Sequence, residues 1–296
     1  MTTFTSIDLS GLPAPNVVEP LDFEEVFAAM LAELQAKDAQ FTALVESDPA
    51  YKVLEVCAFR EVTLRQRVND AAKAVMVAYA TGTDLDNLAA LVPVERKIEV
   101  AGDPDAVPPT EDEMESDADF RARVQLAPEG FSVAGPDGAY IYHALSVPGV
   151  ASAAVESPSP GEVVAYVLAN SGDGTPDADL LAAVAAVLSR ADMRPLTDHV
   201  SVEAATIVTY QVEAVLTLAE GPSTDSVEDA ARTALEAYVK ERHALGMGVA
   251  LSGIYKALHV SGVQSVALDS PTADVTVTDA EAAYCTAITL STAGAA

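Results

Sequence analysis

The sequence has no tryptophan, and only 5% of its residues are aromatic. Receptor- and carbohydrate-binding modules usually present aromatic platforms, and this chain has little from which to build one. Basic residues are scarce as well. Sixteen Lys and Arg stand against 45 Asp and Glu, for a formal net charge of -29. Such a chain repels a phosphate backbone, which makes nucleic acid a poor partner. Ten of the basic residues fall within residues 1–125 and six follow, so the C-terminal part is the more acidic. The two cysteines, Cys57 and Cys285, lie far apart and outside any CxxC or Cys/His cluster. They read as buried, reduced thiols of a protein assembled in a reducing cytoplasm. Apolar runs are short, the longest lying near Leu180–Leu188. A membrane-spanning helix needs about 20 such residues, so none is expected. Met1–Ser10 has no Lys or Arg and no apolar core, and does not read as a secretory signal.

Reactive constellations are missing too. His143, His199, His243 and His259 are not within three or four residues of one another or of a cysteine. A zinc site needs several such ligands together. The GxG at Gly246–Gly248 follows a predicted helix, whereas a dinucleotide fingerprint needs GxGxxG between strand and helix. Asn170–Asp179 lacks the alternating acids and terminal Glu of a calcium loop. It reads as a strand-to-helix connection with Thr175 as N-cap and Pro176 at the first helical position. The sequence therefore calls for no cofactor, no metal and no catalytic residue.

What is present is packing material. Half of the residues are hydrophobic, enough for one large core or two to three modest ones. Residues 1–20 contain Pro13, Pro15 and Pro20 and read as an extended arm. Phe23, Val26, Phe27, Met30, Leu31 and Leu34 recur at the helical period. After Asp48-Pro49 a second helix is expected from about Tyr51 to Ala80, with Val53, Val56, Phe59 or Arg60, Leu64, Val68, Ala72, Val75 and Tyr79 on its apolar face. Gly82 is placed to end it, and a short helix follows over Asp84–Leu91. The prolines and acids of 101–116 mark a linker or surface loop. Ser116 and Asp119 form a capping box for a helix around Phe120.

From Gly138 onward helices alternate with strands. Strands are expected near Val150–Glu156, Glu162–Ala169, His199–Ala204, Ile207–Ala219, Val263–Leu268, Asp274–Thr278 and Ala283–Leu290. Helices are expected near Ala139–Val147, Pro176–Arg190, Val227–His243 and Ser252–His259. An ungapped repeat links the two halves of this region. Residues 141–158 and 254–271 are identical at eleven of eighteen positions. Each copy encodes a short helix, a glycine turn (Gly149, Gly262), an alternating strand and a Ser-Pro stop. The fold class is thus α+β: an N-terminal helical region followed by two related small α/β modules in tandem. The expected boundaries are an arm at 1–20, a helical region at 21–96, a first module at 97–206 and a second at 207–296.

Three stretches resemble the baseplate J-like family of contractile-tailed phages. The first runs from Ala80-Thr-Gly-Thr-Asp-Leu-Asp-Asn-Leu-Ala-Ala-Leu91 to Val94-Glu-Arg96, with Pro93 where a glycine is usual. The second is Glu115-Ser-Asp-Ala-Asp-Phe-Arg-Ala-Arg-Val124, then Ala134-Gly-Pro136 with Tyr140 and Ala144. The third is Arg194-Pro-Leu-Thr-Asp-His-Val-Ser-Val202. The resemblance implies a structural, non-enzymatic wedge protein of a virion tail baseplate or a related injection machine. Its implied partners are other copies of itself, a second wedge protein that bundles with the N-terminal helices, a small lysozyme-like wedge protein, and the central hub and spike. It implies ring formation around that hub and a part in the change that triggers sheath contraction. The alternative class is a receptor- or carbohydrate-binding tail module. The residues expected to carry partner contacts are Phe23, Phe27 and Leu34 on the first helix and Arg60, Arg65, Arg67 and Lys73 on the second. The arginines and the lysine can steer an acidic partner.

Overall fold

The computed structural model describes the chain except for residues 1–8, 10, 11, 14, 39, 42, 43, 133, 134, 191, 192, 220–223 and 294–296. Ala134 of the second motif and eleven of the twenty residues of the expected arm at 1–20 therefore lie outside the described residues. Two compact units emerge. The helical unit comprises the described residues up to Arg96 together with Glu115–Gln125. The α/β unit comprises Lys97–Met114 and everything from Leu126 onward.

The helical unit contains α1 (Phe23–Lys37), α2 (Pro49–Ala74), α3 (Gly82–Ala89) and most of α4 (Asp117–Leu126). The Asp22 carboxylate caps α1 by accepting from the N–H groups of Glu24 and Glu25. Pro49 opens α2, where its missing N–H leaves no bond unmade. The expected capping box forms on α4: Ser116 Oγ accepts from the Asp119 N–H, and its hydroxyl donates to the Asp119 carboxylate. The second helix ends six residues earlier than its periodicity suggests, at Ala74 rather than Ala80. The Arg121 guanidinium, on α4, donates to the carbonyls of Val77 and Ala80. A tight turn with Met76 accepting from Tyr79 and Ala80 replaces the last helical turns.

The α/β unit begins with a small hairpin, β1 (Ile98–Val100) and β2 (Glu113–Met114), enclosing the acidic stretch. The first module then follows: α5 (Asp137–Leu145), β3 (Val150–Glu156), β4 (Glu162–Ala169), α6 (Ala178–Leu188) and β5 (His199–Ala204). Its sheet order is β3-β4-β5, with β4 antiparallel to β3 and parallel to β5. The second module contains β6 (Thr206–Leu218), α7 (Thr224–Arg242), α8 (Leu251–Leu258), β7 (Val263–Ser270) and β8 (Glu281–Ala293), in sheet order β7-β6-β8. Here too the central strand is antiparallel to one neighbour and parallel to the other.

The repeated sequence yields a repeated structure. α5–β3 and α8–β7 are both helix, turn and strand, with Gly149 at φ 88° and Gly262 at φ 98° in the left-handed region that favours glycine. The connectivity around the repeat differs. In the first module the central strand β4 follows its antiparallel neighbour β3. In the second, the central strand β6 precedes α7, α8 and β7. Each module has its own core. One gathers Tyr140, Val163, Val167, Val184 and Leu188; the other gathers Val212, Leu216, Leu235, Ile254 and Leu258.

Two local expectations are corrected. The cap of α6 is Asp177, whose carboxylate accepts from Leu180 N–H, rather than Thr175. The Thr175 N–H is instead held by Asp173. Asp274–Thr278 makes an isolated bridge between Val275 and Val249 rather than a strand, because Val275 pairs with the loop that leads into α8.

Candidate assembly surface

In the helical unit α1 and α2 lie side by side with an aromatic seam. Phe27 is buried, with its ring 4.7 Å from Tyr51 and 6.1 Å from Phe23. Leu34 is half-buried. Ala58 and Asn69 mark the covered side of α2. The Asn69 side-chain amide accepts from Glu19 N–H and donates to Glu19 O, which fixes the chain leading into α1. Buried amides need such partners, and this one has two.

The opposite side of α2 is bare. Val53, Val56, Phe59, Leu64, Val68 and Val75 are between 58% and 69% exposed. Val53, Val56, Leu64, Val68 and Val75 follow i+3, i+4 and i+7 steps or their sums, so they form one stripe along the helix. Cys57 also sits on it and is exposed, and Cys285 is only half-buried, so neither thiol has the full burial expected from the sequence. Arg60 and Arg67, seven residues apart and exposed, interleave with the stripe. No ion pair joins Arg60, Arg67 or Lys73 to another described residue. Arg65 differs: it points to the covered side and pairs with Glu61 at 2.5 Å and Glu19 at 3.9 Å. The candidates named from sequence therefore separate. Phe27 fills the internal seam, with Phe23 and Leu34 half-buried on the same helix. Arg60 and Arg67 stand on the open face. The outer side of α1 has a contrasting character, with Ala28, Ala32 and Ala36 exposed beside Glu24 and Glu25, while Glu33 pairs with Lys37 and lines the groove that Glu61 and Arg65 of α2 also line.

The motifs that resemble the family act as clasps. In the helical unit, Arg96 pairs with Asp86 at 2.8 Å and Asp117 at 2.7 Å, and donates to Glu115 O. Its guanidinium stacks on Phe120 at 4.6 Å. Arg123 and Glu115, both buried, form a two-pronged pair at 2.7 Å, and Arg123 also donates to Glu95 O. The Asp117 carboxyl is held below the usual range, first by the Gly82 N–H and then by Arg96. In the α/β unit, the Tyr140 hydroxyl donates to Asp198 at 2.7 Å, and Arg194 donates to Asp198 O. Burial first, and Asp198 second, push the Tyr140 hydroxyl well above the usual phenol range. Each of these groups has a structural partner. None is a nucleophile–base pair.

Among the described residues no group of three or more His, Cys, Asp or Glu is placed to hold a metal ion. No helix among them is long and apolar enough to cross a membrane.

Comparison with known proteins identifies the family. Residues 46–103 match the Baseplate J-like N-terminal domain, 132–204 the Baseplate J-like central domain, and 210–291 the Baseplate J-like protein C-terminal domain. Baseplate protein J of Escherichia phage P2 is 46% identical across 97% of this chain and 98% of its own length. The chain therefore belongs to the Baseplate J-like family.

Proposed function

We propose that this chain is a wedge protein of a contractile-tail baseplate, and that α2 binds partner helices through its bare stripe. The coarser role follows from the family: it is a structural baseplate protein, not an enzyme. The finer reading adds wedge assembly with other copies and a second wedge protein, contact with a small lysozyme-like wedge protein and with the central hub and spike, ring formation around that hub, and a part in triggering sheath contraction. Assembly would take place in the host bacterial cytoplasm and end in the virion.

The carrying observation is the exposed stripe with its two unpaired arginines. A contiguous apolar patch of this kind on a folded domain marks an interaction site. Burying it against another helix removes apolar area from water at about 25 cal/mol per Å². The arginines favour a helix flanked by acids, the character that the outer side of α1 itself shows. The test is co-expression of the full-length chain with the other baseplate proteins of its phage. A Val53→Glu, Leu64→Glu double variant is expected to fold and to be absent from the complexes seen by native mass spectrometry. Wild-type levels of complex with that variant would refute the reading.

A further inference from the structure

The α/β unit carries a second pair of complementary features that the motifs do not explain. The first is a groove of about 430 Å³ between α7 and β8, lined by Arg232, Val239, Lys240, His243, Tyr284 and Ile288 among others. Its floor is a β-bulge: the register of β8 against β6 slips after Cys285, and the Thr286 hydroxyl donates to Tyr210 O. On either side of the bulge, side chains of α7 and the turn after it hold backbone carbonyls of β8. His243 Nδ1 lies 2.8 Å from Ala283 O, and Arg232 donates to Ile288 O at 3.2 Å. Lys240 is exposed and makes no ion pair with the described residues. Only six Lys and Arg follow residue 125, and two of them line this groove: Lys240, and Arg232, which also pairs with Glu228 at 3.5 Å; Glu236 is the acid in the lining.

The second feature is the loop between β1 and β2. It is held in shape by its own bonds. Gly102 N–H donates to Asp112 at 2.8 Å, Asp103 N–H to Thr110 Oγ1 at 2.8 Å, and Thr110 N–H back to Asp103 O at 3.0 Å. A Cβ on Gly102 would lie 2.4 Å from Thr110 O, so the two sides of the loop close only around glycine. The loop base is fixed to the first module: Glu99 accepts from Asn170 at 2.6 Å and from Gly149 N–H at 3.3 Å. The tip presents Val107, 98% exposed, followed by two prolines, with Asp103, Asp105, Glu111 and Asp112 exposed around it.

We propose that the β1–β2 loop of one copy docks in the α7–β8 groove of a second copy. Val107 and its prolines would meet Val239, Tyr284 and Ile288, and the flanking acids would meet Lys240 first, with Arg232 beside it. The occupant is a copy of this chain because the acids and the apolar tip match an apolar groove edged by Lys240, a cation that makes no ion pair with the described residues of a chain of net charge -29. The loop is preformed, so docking orders little new chain. The two partners are different surfaces, so the contact is head-to-tail and can propagate around a ring. This inference rests on the reading that copies of the chain meet in one assembly.

The test replaces Val107 with photoreactive benzoylphenylalanine in the full-length chain, co-expressed with its baseplate partners. Isotope-labelled and unlabelled chains are mixed, so that cross-links between copies are distinguished from those within one copy. The expected result is an inter-copy cross-link to residues 232–243 or 284–288, with its yield lowered several-fold by Lys240→Glu. Circular dichroism checks that this variant keeps its fold. Cross-links within one copy, to another face, or only to a different protein would overturn the contact. If the complexes form while the groove stays unlabelled, the contact fails and the assembly reading stands. If no complex forms, both fail.

Discussion

The two units of the molecule solve the problem of burial in different ways. The α/β unit closes on itself: each sheet lays one face against helices, and Val167, Val184, Leu188, Val212, Leu216, Leu235, Ile254 and Leu258 are sealed from water. The helical unit seals far less. Its fully covered side chains are mostly alanines, with Leu85 and Phe120 the large ones. It relies on ionic clasps around Arg96 and Arg123, while the valines of α2 stay in water. A unit that satisfies its buried charges but leaves a long apolar stripe uncovered is complete in its polar chemistry and incomplete in its packing. The difference teaches which part of the chain is scaffold and which part awaits a partner.

The comparison breaks first at the buried ion pair. Glu115→Ala leaves the Arg123 guanidinium buried without its carboxylate, and should destabilise the helical unit by about 3–5 kcal/mol. Hydrogen exchange should show the loss in α3 and α4 and not in β6 or α7. Leu235→Ala in the second module opens a cavity at a fully buried site and should remove about 2–5 kcal/mol from the α/β unit. The same experiment should show that loss in α7, α8 and β6. If either variant melts both units together, the division is too sharp. A smaller effect, about 1 kcal/mol, is expected for Ser116→Ala, which removes the cap of α4.

Acid should separate the units as well. Asp117 has a folded-state pKa below its unfolded value, set first by Gly82 N–H. Its stabilisation is fully present above the unfolded carboxylate range and is lost as pH falls through the folded pKa. Asp117→Asn should flatten that part of the acid profile of the helical unit, followed by exchange at α3. A profile identical to wild type would remove Asp117 from the account.

Sequence periodicity served the α/β unit well, for a physical reason. β3, β4 and β5 appear where alternation places them, because each lays one face on its own module's core. The end of α2 was hidden because it is decided by Arg121, more than forty residues along the chain. The clasp at Arg96 was only half legible. Its acids, Asp86 and Asp117, come from different motifs, and local pattern does not say that they meet. The stripe on α2 was visible as an apolar face. Its exposure was harder to read, because the side covered by the α1 seam carries Ala58 and Asn69 rather than large apolar residues. The groove on α7 left no local signal, since its other wall is β8, more than forty residues later.

The smallest expected change in stability accompanies the largest expected change in assembly. Val53→Glu with Leu64→Glu alters exposed positions, so each should shift the stability of the isolated chain by no more than about 0.5 kcal/mol. Cys57 gives the most direct measurement of the central claim, since it sits on the stripe and is exposed. A small maleimide added to the free chain and to intact baseplates, followed by peptide mass spectrometry, reads whether α2 is covered. The account predicts rapid labelling of Cys57 in the free chain and strong protection in the assembled particle. Equal labelling in both would contradict it.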